Sequence, residues 1–141
     1  MEFGNSADIQ YRSLREKIAA EKQMRADRNV GFATVWSNAC AQGRLAGEAC
    51  IPRPMIVSGY ENAPILDGVC GFAYITIRPA TSAFARWLKS KGIGHRAYYG
   101  GWEISVSDYG QSMNRKEAHA AAVADYLKAS GIPAGYYYRM D

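Results

Sequence analysis

The sequence predicts an α+β fold: a small mixed sheet of about four strands with helices packed on it, preceded by an N-terminal helical segment. Three observations predict it. Residues 71–78, GFAYITIR, are aromatic and β-branched, as a pleated surface favours, and Pro79 stops them. Residues 102–107 alternate, with Trp102, Ile104 and Val106 on one side and Glu103, Ser105 and Ser107 on the other. Between and around these runs lie segments with helix caps and helically spaced apolar residues.

In chain order, residues 5–28 form a charged helix-favouring segment, which Asn5 or Ser6 can cap, with Asp8 in the first turn where the helix dipole favours an acid. Tyr11, Leu14 and Ile18 give it a narrow apolar stripe, suited to the main body or to a partner subunit. A second helix is expected over 33–49, although Gly43 and Gly47 each weaken it by about 1 kcal/mol relative to alanine. Two prolines set an extended entry to a short strand at Met55, Ile56 and Val57, and residues 58–68 read as a loop. In the strand at 71–78, Phe72, Tyr74, Thr76 and Arg78 share one face, and neither face is strongly polar at its start, so the strand is expected to be central. Thr81 or Ser82 caps a helix to about Lys91, with Phe84, Trp87 and Leu88 on one side. Asn114 with Glu117 resembles a capping box opening the last helix, and Gly131 is a natural end for it. Residues 135–140 make an aromatic closing strand. Residues 1–30 are therefore expected as a helical arm and 31–141 as a single domain.

At 141 residues the chain can bury a real core, and 48% hydrophobic with 21% charged residues is ordinary for a globular domain. No apolar run approaches the roughly 20 residues that span a bilayer, and no secretory signal opens the chain, so a cytoplasmic location without membrane partners is expected. Cys40, Cys50 and Cys70 are too few and too widely spaced for a disulfide framework or a metal knuckle and are expected as buried thiols. Neither metal ligands, nor a P-loop, nor a GxSxG elbow is present, so no cofactor and no catalytic residue is assigned. The whole net charge of +4 resides in residues 78–141, which hold nine Lys/Arg against five Asp/Glu. Such a balance permits an anionic partner.

Two constellations are candidates for a site. The first is the polar turn and helix start, Ser107, Asp108, Gln111, Ser112, Arg115, Lys116 and His119. Amides at a helix start bind anions, and cations there oppose the dipole, so Arg115 and Lys116 suit a ligand better than the helix. The competing view is that Asp108 and Glu117 neutralise them. The second interleaves aromatics with cations: His95, Arg96, Tyr98 and Tyr99, then Tyr136, Tyr137, Tyr138 and Arg139. Single-strand nucleic-acid binders combine rings and cations in this way, but tyrosine-rich strands are equally good core or interface formers.

From Met55 onward the chain resembles small uncharacterised proteins of tailed bacteriophages, on CIPRPMIV, DGVCGFAYITI, YYGGWEISVSDYGQS with RKEAHA, and the closing YRMD. The resemblance implies expression in a bacterial host, in its cytoplasm or in the virion, and brings no activity with it. The expected function is a non-enzymatic binding protein for an anionic ligand, a nucleotide-like molecule or a nucleic-acid strand, held by Arg115, Lys116 and Arg139 for charge, Gln111 and Ser112 for hydrogen bonds, and Tyr98 or Tyr99 for stacking. The alternatives are a virion component or host-protein inhibitor that oligomerises or docks through the N-terminal helix, and a phosphoester enzyme using His119 and Asp108.

Overall fold

In the computed structural model, which describes residues 6–141, seven elements follow one another: α1 (Ser6–Ala49), β1 (Gly71–Ile77), α2 (Ala83–Ser90), β2 (His95–Arg96), β3 (Trp102–Ser105), α3 (Met113–Ala129) and β4 (Ala134–Met140). The chain divides into two compact units, 1–34 and 35–141. In the described part of the first, the stripe of Tyr11, Leu14 and Ile18 is exposed, Gln23 donates to Asp27 one turn on, and Arg28 lies over the Phe32 ring. The two helices expected at 5–28 and 33–49 are one helix, because nothing between them, neither proline nor cap, stops the hydrogen-bond ladder.

In the second unit, the strand order is β2-β3-β1-β4 and every neighbouring pair is antiparallel, so the sheet is not mixed. The central strand is β1, as its composition predicts. Its alternate residues Ala73, Ile75 and Ile77 are buried, and with Leu88, Val123 and Leu127 they form the core. β3 and β4 both flank β1, and α3 carries the chain across from one to the other. Met55 to Val57 is not a strand: Met55 makes a single bridge to Ile65, while Ile56 and Val57 stay exposed. Val106 falls outside β3 but still donates to Ala73. The cysteines are not buried: Cys70 is exposed, Cys40 and Cys50 are half-buried, and all three are free.

Ser82 caps α2 by accepting from the Ala85 amide, and Phe84, Trp87 and Leu88 are buried at helical spacing. The cap of α3 is Ser112 rather than Asn114. Asn114 instead accepts from the Arg53 amide, which ties the extended segment to the helix. Both helices end alike. After α2 the Ile93 amide reaches Leu88 and after α3 the Ile132 amide reaches Leu127, with Gly92 and Gly131 at positive φ supplying the left-handed turn.

Candidate functional site

The first constellation is largely absorbed by the fold. Ser112 is only 2% exposed; its hydroxyl donates to the Asp67 carbonyl and accepts from the Arg115 amide. The Met113 amide goes to Val69 and the Lys116 amide to the Ser112 carbonyl. Three N–H groups at the start of α3, those of Met113, Arg115 and Lys116, therefore have partners within the chain. Lys116, 6% exposed, turns inward: its ammonium donates to the Gly71 carbonyl at 3.2 Å and lies over the Phe72 ring. The reason is the length of β3. It ends opposite Tyr74, so the edge of β1 beyond that point lacks a strand, and Gly71 finds Gln111 for its N–H and Lys116 for its carbonyl. Arg115 has a buried Nε without a hydrogen-bond partner, and Ser107, Asp108 and the Gln111 side chain lie at the surface.

His119 is buried among fold contacts. Its Nδ1 lies 2.9 Å from the Tyr109 hydroxyl, and Gly43 of α1 makes room for its ring. Burial, reinforced by Arg44 and opposed by Asp108, holds the imidazole below its usual pKa. The cleft that His119 lines with Asp108, Arg44 and Cys40 measures about 160 Å³. Ligand sites run to roughly 300–1,000 Å³, so this cleft is smaller than most of them.

The second constellation is reorganised by the strand order. The face of the sheet opposite the core is open, and three of its rows can be read from the register. Across one row stand His95, Glu103, Thr76 and Gly135; across the next, Ser105, Tyr74 and Tyr137; across the third, Phe72 and Arg139. The side chains form a ladder. Arg139 lies 5.2 Å from the Phe72 ring centre and 5.9 Å from that of Tyr74, and Tyr74 stacks on Tyr137 at 4.8 Å. Thus Arg139 lies against the rings of β1 and Tyr137 stacks on one of them, whereas Tyr98 and Tyr99 stand together at the exposed tip of the β2–β3 hairpin. Arg78 and Arg139 flank opposite ends of β1.

Glu103, His95 and Tyr137 form a group that sequence reasoning missed. Glu103 is 7% exposed, and its two oxygens are held by His95 Nε2 at 2.6 Å and by the Tyr137 hydroxyl, which donates at 2.5 Å. The signal in the sequence was a carboxylate between Trp102 and Ile104 on the side opposite theirs; its partners, 8 and 34 residues away, depend on the register. Burial first, then the bond to Glu103 and its charge, push the Tyr137 phenol up to about 12. A raised folded value means that this interaction stabilises the protein below the ordinary tyrosine value of about 10 and is lost as the pH rises through the folded one. In an ultraviolet titration of the ten tyrosines, a component ionising near pH 12 is expected, and Tyr137→Phe should remove it.

Beside Tyr137 the sheet has a gap. Gly135 contributes no side chain to its row, and an open groove of about 550 Å³ lies there, lined by Thr76, Gly135, Tyr136 and Tyr137 with the cations Arg78 and Lys128. Among the described residues no cluster of three or more His, Cys, Asp or Glu is placed to hold a metal ion, and no helix is long and apolar enough to cross a membrane. In comparisons with known proteins, no family model, no curated protein and no solved structure matches this chain.

Proposed function

We propose that this is a non-enzymatic binding protein for the base-and-phosphate chemistry of nucleotides, free or in a single strand, and that the ligand lies on the open face of the sheet. The observation that carries the reading is the ladder of Phe72, Arg139, Tyr74 and Tyr137 on a central and an edge strand, with Phe72 and Tyr74 half-buried and Arg139 and Tyr137 exposed. Rings offer stacking to any base, and the guanidinium pairs with phosphate, which is how strand binders combine affinity with tolerance of sequence. The positive balance of residues 78–141 supports the same partner. A phage origin is compatible with such a protein acting in the cytoplasm of a bacterial host.

The test is fluorescence anisotropy with labelled 12-nucleotide DNA and RNA strands across a salt series. Binding should weaken linearly in log–log form as salt rises, and Arg139→Ala should lower affinity and flatten that slope by about one phosphate contact. Arg139 is exposed and its backbone pairing needs no side chain, so this variant keeps the fold. An unchanged affinity and slope in Arg139→Ala would place the ligand elsewhere. Absence of binding to any strand or mononucleotide would end the reading.

A further inference from the structure

The groove at Gly135 has features that the rest of the open face lacks. Its volume, about 550 Å³, falls within the range of small-molecule sites, whereas the ladder beside it is a surface. Gly135 helps to keep it open: it stands opposite Thr76 in the register, and a Cβ there would lie 3.1 Å from the Thr76 hydroxyl oxygen. Along the ladder, Tyr74 covers one side of the Tyr137 ring and Tyr137 in turn lines the groove, so a planar group entering there would continue the stack. The charges lining the groove are both positive: Arg78, at the end of β1 against Gly101, and Lys128, in the last turn of α3. The nearby carboxylate, Glu103, is buried with both oxygens engaged by His95 and Tyr137, which limits its repulsion of an incoming anion.

We infer that the groove seats a nucleoside bearing a terminal phosphate, its base against Tyr137 and its phosphate between Arg78 and Lys128. The ligand is a phosphomonoester, either a free mononucleotide or the phosphorylated end of a strand. A terminal phosphate carries close to two charges at neutral pH where an internal diester carries one, and two cations suit the former. The inference rests on the reading of the open face as nucleotide-binding.

The experiment compares 12-nucleotide strands that differ only at one end, with 5′-phosphate, 3′-phosphate or hydroxyl, the label being on the other end. A terminal phosphate of one polarity should tighten binding by about ten-fold, the scale of one charge-assisted hydrogen bond. Arg78→Ala with Lys128→Ala should erase that preference. So should Gly135→Val, which intrudes on the groove beside Tyr137 and removes no charge; Gly135 does not have a positive φ, so the backbone accepts the change, while the Thr76 side chain gives by a few tenths of an ångström. Equal affinity for phosphate and hydroxyl ends overturns the groove assignment and leaves binding to the face standing. Absence of binding by every strand and mononucleotide overturns both. Displacement of the phosphorylated strand by a mononucleotide of the same polarity assigns the groove to the free nucleotide. A preference that survives an excess of that mononucleotide assigns it to the strand end.

Discussion

Replacing Tyr137 by alanine is expected to weaken strand and mononucleotide binding by roughly 5- to 150-fold, the equivalent of about 1–3 kcal/mol for one lost base–aromatic stack. Three consequences converge on this residue. The ring is the exposed end of the Arg139–Tyr74–Tyr137 ladder and lines the groove at Gly135. Its hydroxyl satisfies one oxygen of a carboxylate that is 7% exposed. Its loss would also open the Glu103 charge toward a ligand that is itself an anion. Tyr137→Phe separates these effects: the ring remains, the bond to Glu103 goes, and the loss should be smaller than with alanine. Alanine at Tyr98 and Tyr99 together provides the comparison. Those rings meet edge-on at the hairpin tip, 93% and 87% exposed, and they should cost less than Tyr137 alone. The reverse order, measured by anisotropy under identical salt, would move the ligand from the sheet face to the hairpin.

How much of this was legible in the sequence depends on the range of the interaction. β1 was readable from GFAYITI because aromatic and β-branched residues mark a sheet interior locally, and Ser82 was readable as a cap because its partner is the Ala85 amide, three residues on. The open face was half legible. That Phe72, Tyr74 and Thr76 share a side follows from the pleat, but that Tyr137 and Arg139 join them requires β4 beside β1. Strand order is a property of the whole chain. Lys116 illustrates the other limit. Cations at a helix start read as ligand-binding on local electrostatics, yet one of the two serves a carbonyl of β1 that a longer β3 would have bonded. The end of β3 is not written near Lys116. Where a polar group is buried, its partner is set by topology, so local electrostatics alone does not identify it.

The glycines of α1 give a stability prediction whose sign depends on tertiary structure. In a helix interior Gly→Ala ordinarily stabilises by up to about 1 kcal/mol, because alanine restricts the unfolded backbone more. Gly31 should behave so, since a Cβ there meets nothing within 4 Å. Gly47 should behave oppositely. A Cβ there would overlap the ring and hydroxyl of Tyr109, and Tyr109 has little freedom to withdraw. It is a non-glycine residue at φ 72, held in the turn before α3, and its hydroxyl is bonded to the buried His119. The overlap must therefore be relieved by shifting the turn or breaking that bond, at the cost of overpacking, about 1–3 kcal/mol. Urea unfolding of the second unit should show Gly47→Ala destabilised by that amount, and the helicity of α1 followed by circular dichroism should show Gly31→Ala neutral or stabilised. In a Tyr109→Ala background the obstacle is gone, so Gly47→Ala should become stabilising. That inversion within a double-mutant cycle distinguishes a packed Tyr109 from one that only rests on the surface. A Gly47→Ala effect that is the same with and without the tyrosine ring would mean that α1 does not hold the turn. The same turn carries Ser112, which caps α3 and whose amide donates to the Tyr109 carbonyl.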